Sequence, residues 1–429
     1  MRLGGRLAAA IEVLDDIERR HRPAADALKD WGLSHRFAGA GDRAAIGNIV
    51  YDALRRKRSA GWLLGSDTPR AQAFGALLIE WKEQPEVLNG MLADDRFAPP
   101  PLDPEELREL ATRRLEDAPP AIRADCPSWC APQLERTFGA GWVEEAARLS
   151  ARPPLDLRVN TLKADRPRVL AGLAGTQAAA CRLAGQGIRI PPIEGAGRHP
   201  NLQAEAAWQK GWFEVQDEGS QVAAELAGAS AGMQVLDYCA GAGGKTLALS
   251  AAMQNRGQIF AHDADRHRLA PIFERIRRSG SRNVQVVSGP RELEAHSGHM
   301  DLVLVDAPCS GSGTWRRRPD AKWRLTERQL EVRVAEQAAI LDTAIGFVRP
   351  GGRLVYITCS VFDEENGGQI DALLARQGGL ARLDHAALWE KSFPGMQDAA
   401  RLDVERGISL SPLKSGTDGF YVAALARTA

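Results

Sequence analysis

Apolar residues return at helical spacing through the first quarter of the chain. Leu7, Ile11, Leu14 and Ile17 form one stripe, and Ile46, Ile49, Val50, Ala53 and Leu54 a second. Phe74, Leu77, Leu78 and Trp81 form a third. Each stripe gives a helix one apolar face to bury against its neighbours. Ala98-Pro99-Pro100-Pro101 breaks the pattern, and Pro104-Glu105-Glu106 then reads as a helix start. Residues 1–125 are expected to be all-helical.

Over 126–215 the character is mixed. Leu155-Asp156-Leu157-Arg158-Val159-Asn160 alternates as a strand does. Gly187–Ile190 and Trp212–Val215 are further strand candidates, with helical stretches near 132–150 and 165–174. A small α+β unit fits this region. From 216 to 429 strands alternate with helices. The strands are expected at Gln234–Tyr238, Gln258–His262, Val284–Val287, Leu302–Val305 and Leu354–Thr358, with a late one at Gly419–Leu425. Helices are expected near 245–255, 265–279 and 327–348, the last with a Thr326/Gln329 capping box and a stop at Pro350-Gly351-Gly352. Such alternation predicts an α/β fold, an open and mostly parallel sheet with helices on both faces. Ligands then sit beyond the carboxyl ends of its strands.

A length of 429 residues fits two or three domains, and 44% hydrophobic with 26% charged residues excludes a largely disordered chain. Lys+Arg and Asp+Glu are both 55, so any nucleic-acid contact must come from local patches. No apolar run approaches a membrane span, and the N-terminus leads into an amphipathic pattern instead of a signal sequence. Six cysteines make no disulfide framework, so a cytoplasmic protein is expected. Cys126 and Cys130 lack further ligands nearby, and no metal site is expected.

The chemistry lies just after the strands. Cys239-Ala240-Gly241-Ala242-Gly243-Gly244-Lys245-Thr246 follows the first. Its glycines allow a tight turn and close backbone approach to a ligand. A P-loop needs glycine where Cys239 stands, and the dinucleotide fingerprint needs it at Thr246, so both phosphate signatures fail. A different nucleoside ligand is left, with S-adenosylmethionine (SAM) foremost. Asp263, after the second strand, suits ribose hydroxyls. Asp306-Ala307-Pro308-Cys309-Ser310-Gly311-Ser312-Gly313 and Tyr356-Ile357-Thr358-Cys359-Ser360 set two cysteines over one crevice. A SAM enzyme with a thiol there points to methylation at a poorly nucleophilic carbon such as C5 of a pyrimidine. A thiolate adding to C6 pushes electron density onto C5. A carboxylic acid held protonated beside the base, as Asp306 is placed to be, would stabilise the resulting charge.

These motifs, with Glu365-Asn366, Arg158–Lys163, Gln216–Gln221, Arg318–Trp323 and Asp418-Gly419-Phe420, resemble those of the RsmB/Sun family of RNA cytosine-C5 methyltransferases. The resemblance implies a Rossmann-like SAM methyltransferase domain at 216–429, a small α+β (RRM-like) domain at 126–215 and an RNA-binding, NusB-like helical domain at 1–125. It implies that Cys239, Ala240, Gly241, Ala242, Gly243, Gly244 and Lys245 line the SAM site with Asp263, Arg268 and Asp306. Cys359 is then the nucleophile, and Cys309 helps expel the product. Lys163, Arg316, Arg317 and Lys322 are expected to meet RNA, with bacterial small-subunit ribosomal RNA as substrate and a monomeric enzyme. The chain departs from the family in Gly241-Ala242, where Ala-Pro is usual, and in Gly289-Pro290-Arg291, where an acid is frequent. Two other readings compete. A DNA cytosine-C5 methyltransferase would use Pro308-Cys309 and leave Cys359 idle. A non-catalytic RNA-binding or ribosome-assembly protein would explain the departures but not the retained cysteines.

Overall fold

A computed structural model describes residues 1–428, apart from the side chain of Pro290. The chain forms two compact units. One comprises Met1–Pro153, Pro192–His199 and Trp315–Leu325; the other comprises Pro154–Pro191, Pro200–Thr314 and the rest from Thr326.

The first unit is helical. The three apolar stripes lie on the helices Leu3–Arg20, Ala40–Arg55 and Pro69–Ile79, and Leu7, Leu14, Ile46, Ile49, Leu54 and Phe74 are fully buried. A β-carbon on Gly75 would lie 2.2 Å from that of Ala60, so only glycine lets the helices Lys57–Leu64 and Pro69–Ile79 pack this closely. The helix Pro104–Thr112 starts where expected, with Asp103 and Glu106 closing a capping box. The single helix expected over 132–150 is two, Ala131–Phe138 and Trp142–Leu149, because Gly139 turns left-handed at φ +64°. The last piece of this unit comes from far along the chain. In the helix Pro319–Arg324, Asp320 accepts the Ala24 N–H at 3.3 Å and the Trp323 indole donates to the Leu54 carbonyl at 2.6 Å.

The second unit holds two sheets. The smaller, four strands all antiparallel, runs in the order Ala179–Ala180, Gly187–Ile190, Leu155–Val159, Phe213–Val215. The larger has nine strands. Val284–Val287, Gln258–His262, Gln234–Asp237, Met300–Asp306 and Val348–Thr358 are parallel neighbours in that order. Phe420–Arg427 then adds antiparallel, followed by Gly407–Leu410 and Arg401–Asp403, while Leu380–Arg382 pairs with Phe420–Arg427 off this path. The order reverses between Gln234–Asp237 and Met300–Asp306, which opens a crevice at their carboxyl ends. Every strand expected of this region is present. The helix expected over 265–279 is interrupted at Pro271, giving Arg266–Leu269 and Ile272–Ser279. No described helix is long and apolar enough to cross a membrane.

Candidate active site

The crevice is built from four strand ends of the second unit. After Gln234–Asp237 the chain turns through Gly241 (φ +50°) and Gly243 (φ +82°) into the helix Gly244–Ala252. A β-carbon on Gly243 would lie 2.5 Å from Ile272 Cγ1, so that position admits only glycine. Gly241 instead faces the crevice. A β-carbon there would sit 3.7 Å from the Arg268 guanidinium and 3.9 Å from Asp263 Oδ2. Asp263 Oδ2 accepts the Gly241 N–H at 2.8 Å and Oδ1 accepts that of Asp265 at 2.9 Å, which leaves each oxygen a lone pair. Turn, acid and guanidinium thus share one side of the crevice, as a nucleoside site requires. The carboxylate at the end of the third parallel strand comes from Glu292, which accepts the Ser288 N–H at 3.2 Å.

Asp237 is a member that motif reading missed. It is fully buried, accepts the Thr246 hydroxyl at 2.6 Å through Oδ2, and has no partner for Oδ1. Burial pushes its carboxyl up to about 7. Lys245 reaches across to Asp306, Nζ to Oδ2 at 2.6 Å, with the Phe420 ring 5.3 Å away. Asp306 is therefore half of a lysine–carboxylate pair and not the isolated protonated acid expected, because the ammonium is within charge-assisted hydrogen-bonding distance. Burial, with Asp237, Asp263 and Asp306 nearby, holds the Cys239 thiol well above the usual range.

Cys309 and Cys359 end neighbouring strands, and their sulfurs are 3.4 Å apart. Their loops are stapled together. Ala307 N–H donates to Ile357 O at 2.9 Å, Gly313 N–H to Cys359 O at 2.9 Å, and Val361 N–H to Ser312 Oγ at 2.9 Å. Beneath them lies Glu365, fully buried. It accepts the Ser310 N–H and hydroxyl at 2.7 and 2.5 Å and the Gln337 amide at 3.0 Å, and its carbonyl accepts the Tyr356 hydroxyl at 2.7 Å. Asn366 holds the other loop, accepting from Thr358 Oγ1 at 2.5 Å and donating to Ser360 O at 3.0 Å. The hydrogen bond to Cys359, reinforced by burial, raises the Cys309 thiol well above the usual range. Cys309 therefore stays a thiol in the free protein and presents an S–H toward Cys359.

The expected RNA contacts fare differently. Lys322 is 1% exposed and its Nζ donates to Ser150 Oγ at 2.8 Å inside the helical unit. Arg316 is 4% exposed and its carbonyl takes the Arg55 guanidinium at 2.9 Å. Burial removes both from any solvent-facing RNA path. Arg317 is half-buried. Lys163 is exposed, but its Nζ donates to the carbonyls of Lys210 and Arg278 at 3.1 and 2.7 Å. The basic run Arg55–Arg58 is likewise committed to protein partners, Arg56 to Glu80 and Lys57 to Glu18 among them. Cys126, Cys130 and Cys181 are buried free thiols, and desolvation pushes Cys126 up to about 11. No described group of three His, Cys, Asp or Glu side chains could hold a metal ion.

Comparison with known proteins places this geometry. The family model for 16S rRNA methyltransferase RsmB/F matches residues 226–426, and that for the ferredoxin-like domain of RsmF/B-like methyltransferases matches 126–192. "Ribosomal RNA small subunit methyltransferase B" of Sodalis glossinidius is 33% identical over 81% of this chain and 74% of its own length. "Probable ribosomal RNA small subunit methyltransferase B" of Synechocystis sp. is 30% identical over 97% of this chain and 98% of its own. Among solved structures, a methyltransferase homologue protein from Pyrococcus horikoshii, 25% identical, covers 72% of this chain and 97% of its own with a TM-score of 0.59. NSun6 from Pyrococcus horikoshii with SFG, 21% identical, covers 71% and 98% with a TM-score of 0.60 and shares the fold.

Proposed function

The chain belongs to the RsmB/F family of 16S rRNA methyltransferases, and from that premise we propose that it methylates C5 of a cytosine in small-subunit ribosomal RNA through a bond between Cys359 and C6. The family's methyl donor is SAM, and the turn Cys239–Lys245 with Asp263 and Arg268 fits it: an open glycine facing a carboxylate with spare lone pairs. SAM supplies an electrophilic methyl group.

The protein's own side chains do the rest. The Cys359 thiolate adds to C6, and the electron pair of the C5–C6 double bond makes C5 nucleophilic. The Lys245–Asp306 pair faces the charge that develops on the ring, with Lys245 as the proton source behind the carboxylate. Once C5 is methylated, its proton leaves to a base, the double bond re-forms and the Cys359–C6 bond breaks. Cys309, 3.4 Å from the sulfur that departs, assists this step. The target carbon is inaccessible within a stacked helix, so the cytosine is bound unpaired or flipped out. The division into 1–125, 126–215 and 216–429, the NusB-like RNA-binding role of the first, and a cytoplasmic monomer belong to the same proposal.

The distance between the two sulfurs carries this reading, and one denaturing gel tests it. With SAM and labelled RNA, Cys359→Ala should give neither product nor adduct. Cys309→Ala should accumulate an adduct that resists denaturation. If the roles of the two variants reverse, the enzyme works as DNA cytosine methyltransferases do. If the wild type forms no product, the catalytic reading fails.

A further inference from the structure

Two tryptophans of the second unit stand apart from the reaction. Trp208 lies in the short helix Ala206–Gln209, and Trp212 precedes the strand Phe213–Val215; both are half-buried. The Arg278 guanidinium lies over the Trp208 ring, 3.6 Å from its centroid. Arg168 lies over Trp212 at 4.1 Å, and Lys210 at 5.4 Å.

This face is held rigid. Asn160, 5% exposed, donates its amide to the carbonyls of Gly211 and Ser279 at 2.8 and 2.7 Å, and its N–H bonds Trp212 O at 2.8 Å. Lys163 ties Lys210 to Arg278 through their carbonyls. Gly211 has φ +73°, and a β-carbon there would lie 2.0 Å from the Arg278 carbonyl oxygen, so the tryptophan turn is pressed against the end of the helix Ile272–Ser279. Three exposed cations on this face, Lys163, Arg168 and Lys210, have no carboxylate within ion-pair distance among the described residues, although Arg278 pairs with Glu214 at 2.5 Å.

Uncompensated cations interleaved with indole and guanidinium planes, prepositioned on rigid backbone, match a polyanion whose aromatic groups are exposed. A duplex hides its base faces, and an acidic protein surface would use the charge but not the planes. We propose, resting on the RNA reading above, that this face binds an unpaired stretch of the substrate RNA. A base stacks on the Arg168–Trp212 pair, and flanking phosphates meet Lys210 and the remaining Lys163 proton.

Fluorescence anisotropy with a labelled single-stranded oligocytidylate 20-mer, and with its duplex, tests this on the full chain. Trp212→Ala should weaken single-strand binding about tenfold, and Trp212→Phe should restore it. Arg168→Glu with Lys210→Glu, both at exposed positions, should weaken it and flatten the logarithmic salt slope by about 1.4, at about 0.7 per phosphate. Calorimetry with SAM checks that each variant is folded. If Trp212→Ala does not fold, the Phe and charge variants decide. Unchanged binding by the charge variant overturns the proposal, and so does loss on charge reversal without any loss in a folded Trp212→Ala. A wild type that neither binds nor methylates RNA overturns the functional reading as well, whereas a binding wild type with indifferent variants overturns this face alone.

Discussion

Lys245 Nζ and Asp306 Oδ2 stand 2.6 Å apart, joining the helix that follows the glycine turn to the end of a neighbouring strand. A charge-assisted bond of this kind contributes about 1.5–3 kcal/mol. Lys245→Met should therefore slow methyl transfer by about 10- to 100-fold, while Lys245→Arg keeps part of the rate. Single-turnover transfer of tritiated methyl groups measures this. A Met variant with the wild-type rate would remove the pair from the mechanism.

Cys309 keeps its proton because Cys359 is its hydrogen-bond partner. That partner changes once the Cys359 sulfur is bonded to carbon, since a thioether carries no charge. The Cys309 thiol should then ionise more readily and act as a base. Decay of the enzyme–RNA adduct should speed up with pH in the wild type, because the thiolate is the active form. In Cys309→Ser the adduct should persist at every pH from 6.5 to 9. Equal decay in both proteins would exclude Cys309 from product release.

Asp237 sets a pH dependence of stability. Its carboxyl sits near 7 in the folded chain, above the ordinary range. Between about pH 4 and 7 the native state holds a proton that the unfolded chain has released. The stabilisation is complete below that window and is lost as pH rises through it, at up to about 1.4 kcal/mol per unit. Asp237→Asn retains an acceptor for Thr246 and should flatten the dependence. Urea midpoints at pH 5, 6, 7 and 8 show whether it does. Parallel pH profiles for the two proteins would refute the assignment.

Lys322 should behave as a core residue. Its removal strands Asp125, which is fully buried and accepts from Ser59. Burial lowers Lys322 to about 8, with Asp125 opposing the shift. Lys322→Ala should cost about 3–5 kcal/mol, as expected for breaking a buried charged cluster. It should leave the salt slope of RNA binding unchanged in protein that remains folded. A flattened slope with unaltered stability would return Lys322 to the RNA path.

The strands and the two cysteines were legible because each is local: a run of alternating or apolar residues, then a motif at its end. Register needed no long-range information for Cys309 and Cys359, since both follow directly from strands that the pattern predicts as neighbours. Asp237 escaped notice because an acid at a strand end looks ordinary until burial and its single partner are known. Lys322 and Arg316 misled for a related reason. In sequence they continue a crevice motif and read as a basic cluster, but the environment of Lys322 is set by Ser150, 172 positions away. The late strands Arg401–Asp403 and Gly407–Leu410 are short and carry no strong period of their own. Pairing with Phe420–Arg427 defines them.

The helical unit is completed by Trp315–Leu325, whose Asp320, Lys322 and Trp323 bond Ala24, Ser150 and Leu54. During synthesis, Met1–Pro153 leaves the ribosome long before that segment exists. The nascent helices must therefore wait with a gap in their packing, and the unit closes only after the two-cysteine crevice has been partly translated. A truncation at residue 153 would omit a structural plug along with the catalytic half. An isolated N-terminal fragment should be aggregation-prone, and supplying 315–325 as a separate peptide should rescue it.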